Sequence, residues 1–142
     1  MSEGRRYRVF ISHASVDGWV ARQIETHVQL SGASTFLDTL YIQRGDDFEE
    51  RIIAAAEDCD ELAVLLTPTA LKRRYIWLEI GMFMTARKRI VLILYGLSSE
   101  ALARDRDMPL IIKRLERVDI NEVQSYFREL AVRAKTNEVG HA

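Results

Sequence analysis

Three unbroken apolar runs limit what this chain can fold into: residues 9–11, 62–66 and 90–94 contain no polar side chain. A strand with one wet face alternates polar and apolar residues. A strand apolar at every position needs cover on both faces, as in a parallel sheet. The stretches between these runs carry helical periodicity. Val16, Val20, Ile24 and Val28 form a stripe on a helix reaching about residue 30. Phe48, Ile52, Ile53 and Ala56 form a second, residues 75–87 make a third helix, and Val123, Tyr126, Phe127, Leu130, Ala131 and Ala134 mark a last one. Residues 35–37 and 115–120 read as weaker strands. Strand and helix thus alternate, which predicts a parallel sheet with helices on both faces. Five strands fit a flavodoxin-like three-layer sandwich with strand order 2-1-3-4-5.

Local signals set the expected boundaries. Ser15 is placed to cap the first helix, and Ser31-Gly32 to end it. Asp46 or Asp47 caps the second helix and Asn121 the last. Thr67-Pro68 stops the third strand and Gly96 the fourth, and residues 97–109 form a loop with a helical turn.

At 142 residues and 48% hydrophobic, the chain fits one domain over 1–142, with a core at about 7–135 and flexible ends at 1–6 and 136–142. A net charge of -1 with scattered Lys and Arg gives no nucleic-acid footprint. No run is long enough to span a bilayer, and the short run after Arg5 and Arg6 is too brief for a signal peptide. The expectation is a cytoplasmic protein without membrane contact. Cys59 is the lone cysteine, and His13, His27 and His141 are far apart, so no metal site is expected.

In open parallel sheets the ligand crevice lies beyond the carboxyl ends of the strands, where the strand order reverses. Here that is between strands 1 and 3. The loops meeting there are residues 12–15 and 67–74, and the second leads into Tyr75 and Glu79. Asp38 ends the neighbouring strand. This logic gathers Ser12, His13, Asp38, Tyr75 and Glu79 on one edge. Each has an ordinary reading as a turn, cap or loop residue, and Trp77 reads as core or as a stacking surface. Glu79 stands out because Tyr75, Ile76, Trp77, Ile80, Met82 and Phe83 surround it in sequence. A carboxylate deprived of water must pair, protonate or do chemistry.

Phe10-Ile11-Ser12-His13, Phe36-Leu37-Asp38, Gly45-Asp46-Asp47-Phe48 and Tyr75-x-Trp77-x-Glu79-x-Gly81 together resemble the bacterial branch of the TIR (Toll/interleukin-1 receptor) domain family. The resemblance implies an enzyme that takes NAD as substrate, with no cofactor, and cleaves its nicotinamide–ribose bond. Products are nicotinamide with ADP-ribose or a cyclic isomer. It implies Glu79 as the catalytic residue, with Ser12, His13, Asp38, Tyr75 and Trp77 as substrate-binding groups. Tyr75 stands where the family often has Trp. The loop 39–47, with Tyr41, Ile42, Gly45 and Asp46, corresponds to the loop through which members self-associate. Partners implied are NAD, further copies of the chain, and a separate sensor or effector in anti-phage signalling. A non-enzymatic TIR scaffold and a nucleoside deoxyribosyltransferase-like enzyme are the competing readings. A CheY-type receiver is disfavoured, because Thr67-Pro68 stands where the phospho-acceptor Asp belongs.

Overall fold

A computed structural model of the chain describes residues 6–37 and 45–140. Asp38, Tyr41 and Ile42 therefore lie outside the described residues. The strands are β1 (Arg8–Ser12), β2 (Ser34–Leu37), β3 (Glu61–Leu66), β4 (Arg89–Leu94) and β5 (Glu116–Asp119). They form one parallel sheet in the order β2-β1-β3-β4-β5, as the alternation predicts. The helices are α1 (Gly18–Leu30), α2 (Gly45–Asp58), α3 (Arg74–Thr85), α4 (Ser99–Arg104) and α5 (Val123–Gly140).

Side-chain alternation divides the core in two. Val9 and Ile11 of β1, with Val91 and Ile93 of β4, pack against Ile24 and Val28 of α1 and Phe127 and Leu130 of α5. Phe10, Val64, Leu66 and Leu92 point the other way, onto Ile76, Ile80 and Phe83 of α3. Because successive strand residues face opposite sides, Ser12 shares the face of Phe10 and is aimed at α3. Every residue of β3 is buried, which explains its unbroken apolar run.

Some local expectations fail for geometric reasons. Ser15 opens a 3-10 turn, Ser15–Asp17, and makes no capping bond to α1. That turn has three residues per rotation, so Val16 falls out of phase with the α-helical stripe and is 69% exposed. The buried stripe of α1 is Ala21, Ile24 and Val28, with Val20 partly buried against the same core. Ile53 is likewise turned outward, leaving Ile52, Ala55 and Ala56 buried on α2. Asp119, not Asn121, caps the 3-10 turn ahead of α5, its carboxylate accepting from the Asn121 amide. Helix α5 continues to Gly140, so the proposed tail from residue 136 is helical through most of its length. Among the described residues no helix is long and apolar enough to cross a membrane.

Candidate active site

The site is built where β1 and β3 run side by side, with Ser12 opposite Val64. Beyond β3 the chain turns sharply. The Thr67 hydroxyl donates to the Asp17 carboxylate at 2.7 Å and accepts from the Ala70 amide at 3.0 Å. One side chain thus joins the start of α1 to the 3-10 turn Ala70–Lys72. Arg73 is extended, and α3 begins at Arg74 without a side-chain cap.

The inward face of α3 carries Ile76, Glu79, Ile80 and Phe83. This is the i, i+3, i+4, i+7 spacing of a core stripe, with an acid at its second position. Glu79 is 1% exposed. The Ser12 hydroxyl, equally buried, donates to Glu79 Oε1 in a short hydrogen bond. One turn earlier on α3, the Tyr75 hydroxyl donates to the His13 carbonyl at 3.0 Å. His13 itself is buried. The end of β1 is therefore strapped to α3 at two successive residues.

Burying an ionised carboxylate costs several kcal/mol even after relaxation, and the bond from Ser12 is one contact that offsets this cost. The helix dipole adds little, because Glu79 is the sixth residue of α3 and the effect fades beyond the first turn. A fully buried acid at the strand-order reversal makes Glu79 the candidate functional residue.

Trp77 is turned elsewhere. Its indole Nε1 donates to the Leu71 carbonyl at 3.0 Å, and its ring lines a cavity of about 340 Å³ with Leu71, Asp105, Asp107, Met108 and Pro109. Residues 77 and 79 lie two apart on a helix and so face different directions. The structure thus brings Ser12, His13, Tyr75 and Glu79 together and separates Trp77 from them. Gly45 and Asp46, expected in loop 39–47, lie instead in the first turn of α2, which begins at Gly45, so neither Asp46 nor Asp47 is its cap. Among the described residues, no three His, Cys, Asp or Glu side chains gather as metal ligands.

Two features of the sheet escaped the sequence reading. One is the Asp17–Thr67 tie. The other is Glu61, fully buried at the start of β3, at the opposite edge from Glu79. It accepts from the Tyr7 hydroxyl at 2.7 Å, from the Tyr126 hydroxyl in a short bond, and from Arg133 Nε and Nη2 at 2.9 and 3.0 Å. Its partners lie 54 to 72 residues away in the chain, so no local signal announces them.

Fold and site together define a flavodoxin-like α/β protein with a buried carboxylate at its strand-order reversal. Residues 9–131 match the family model for the TIR domain, and the chain belongs to that family. A curated relative from Brachypodium distachyon, named probable 2' cyclic ADP-D-ribose synthase BdTIR, is 34% identical over 94 residues. That match takes in 65% of this chain and 42% of the relative's length. Among solved structures, the chain is similar to the TIR domain of the Toll-related receptor TRR-2 from Hydra magnipapillata. That likeness has a TM-score of 0.64 and 22% identity, over 88% of this chain and 94% of the other. It is also similar to the CMP N-glycosidase BcmB of Clostridium botulinum, with a TM-score of 0.55 and 19% identity, over 88% and 98% of the two chains. Both likenesses establish the fold.

Proposed function

We propose that this TIR domain cleaves NAD at the nicotinamide–ribose bond, with Glu79 as the catalytic carboxylate. The observation that carries this reading is the buried Glu79 at the carboxyl edge of β1 and β3, with the Ser12 hydroxyl on one oxygen. The relative's name, a cyclic ADP-ribose synthase, supports NAD as the substrate class.

One carboxylate suffices for this chemistry. Ordinary glycosides need a second carboxyl to protonate the leaving group. Nicotinamide in NAD is a pyridinium. When its bond to ribose breaks, the electron pair returns to the ring nitrogen and nicotinamide leaves neutral, with no proton required. The positive charge then resides on the ribose as an oxocarbenium. An ionised Glu79 in a water-poor setting stabilises that charge strongly. Capture by water, with loss of its proton, gives ADP-ribose; capture by a hydroxyl of the same molecule gives a cyclic product. Tyr75 supplies a wall beside the reacting ribose, and His13 and Asp38 complete the proposed binding set. The protein acts in the cytoplasm, within immune signalling through a separate sensor or effector. It associates with further copies of itself through loop 39–47.

The test is incubation of purified protein with NAD and chromatography of the products. Nicotinamide with ADP-ribose or a cyclic isomer supports the reading. Intact NAD, under conditions where self-association is demonstrated, would favour a scaffold instead.

A further inference from the structure

We infer that Ser12 is the residue that positions the Glu79 carboxylate, and that it does not bind substrate. Two observations converge on this role. The first is direction: strand alternation puts Ser12 on the α3 face of β1, beside Phe10, and its hydroxyl meets Glu79 Oε1. The second is donor supply. A serine hydroxyl has a single proton to donate, and this one is committed to Glu79.

Glutamate needs such help. Its terminal torsion is broad and roughly two-fold, so packing of the stem alone leaves the plane of the carboxylate poorly fixed. A donor on one oxygen fixes that plane and directs the remaining oxygen. The donor itself is well anchored. Ser12 ends a central strand paired to β3, and the next residue, His13, is held by the Tyr75 hydroxyl at 3.0 Å. Both rungs run between β1 and one face of α3, so the distance from strand end to catalytic helix is set twice.

The kinetic part of this inference rests on the NAD-cleaving reading; the positional part does not. The experiment therefore has two arms. In the first, high-resolution crystal structures of wild type and Ser12→Ala are compared at Glu79. The expected result is a carboxylate rotated or displaced in Ser12→Ala. A carboxylate in the same place and plane overturns the inference, whatever the protein does to NAD. In the second, nicotinamide release is measured for wild type, Ser12→Ala and Ser12→Thr. A misplaced catalytic group predicts a kcat loss of about tenfold to a hundredfold in Ser12→Ala. KM should stay within about twofold of wild type, since no substrate contact is removed. Ser12→Thr, which keeps the hydroxyl, should recover most of kcat. A raised KM with unchanged kcat in Ser12→Ala makes Ser12 a substrate contact and overturns the inference. Absence of nicotinamide release from wild type counts against the NAD reading alone, and the crystallographic arm then decides.

Discussion

The Tyr75 hydroxyl donates to the His13 carbonyl at 3.0 Å, tying the first residue beyond β1 to the opening turn of α3. The side chain thus has two separable parts, a hydroxyl that braces the loop and a ring that stands one turn before Glu79. Tyr75→Phe removes only the brace. We expect it to lower unfolding free energy by about 0.5–1.5 kcal/mol in denaturant titration, with NAD turnover largely kept. Tyr75→Ala removes the ring too and should lose most turnover, while Tyr75→Trp should keep much of it. Equal turnover in the Phe and Ala variants would reduce Tyr75 to a brace.

Glu61 offers a test of the opposite edge. Its carboxylate holds the Tyr7 and Tyr126 hydroxyls and both Arg133 nitrogens, linking β1, β3 and α5. Glu61→Ala strands Arg133, whose side chain is 19% exposed, without its counter-charge. Removing one partner of a buried pair typically costs about 3–5 kcal/mol. Chemical denaturation should show a loss of this order. A change below about 1 kcal/mol, the size of an exposed pair, would mean the network is solvent-accessible in solution.

The same network predicts an alkaline limit. Burial, then the charge of Glu61 and its hydrogen bond, raise the Tyr126 hydroxyl well above the usual tyrosine range. Unfolded tyrosine ionises near pH ~10. Above that pH the unfolded chain sheds a proton that the folded chain keeps. Stability from this group is therefore complete below pH ~10 and falls as pH rises further. Tyr126→Phe removes that proton difference. Its stability against pH should be shallower above pH ~10, by up to about 1.4 kcal/mol per pH unit. Parallel curves for the two proteins would show that Tyr126 ionises without regard to folding.

Much of this architecture could be read from residues alone, and the reasons are local. Strands β3 and β4 are apolar at nearly every position because both faces are covered, so their runs were visible without an alignment. Glu79 stands out in the sequence because Tyr75, Ile76, Trp77, Ile80, Met82 and Phe83 surround it, and the structure places it on the buried stripe of Ile76, Ile80 and Phe83. The strand-order reversal already gathers Ser12 and Glu79 on one edge, but the hydrogen bond between them is not legible, because nothing near Ser12 in sequence singles out a residue 67 positions later. Caps were misread for a different reason. Ser15 and Asn121 are each good cap residues, but 3-10 turns ahead of α1 and α5 shift the helix starts past them. Trp77 reads more readily as core than as a stacking surface. Its direction is fixed by the Leu71 carbonyl, a contact decided by the shape of the loop before α3.

Self-association should be visible in kinetics. Loop 39–47 carries Leu40, Tyr41 and Ile42, an apolar cluster suited to a contact surface. Contact between identical units through unlike surfaces builds head-to-tail assemblies. We expect the specific activity of wild type to rise with protein concentration. The double variant Tyr41→Ala with Ile42→Ser should stay folded by circular dichroism and remain nearly inactive. A flat concentration profile with an active loop variant would place a complete site in each monomer.

The central claim is that the Glu79 charge, held in the core stripe of α3, stabilises the oxocarbenium formed from NAD. Glu79→Gln keeps the shape of the side chain and an oxygen for the Ser12 hydroxyl to bond, and removes only the charge. The decisive measurement is nicotinamide release from NAD by wild type and Glu79→Gln at equal concentrations of folded protein. The account predicts steady release by wild type and a loss of about a hundredfold or more in Glu79→Gln. Equal rates for the two proteins would contradict it.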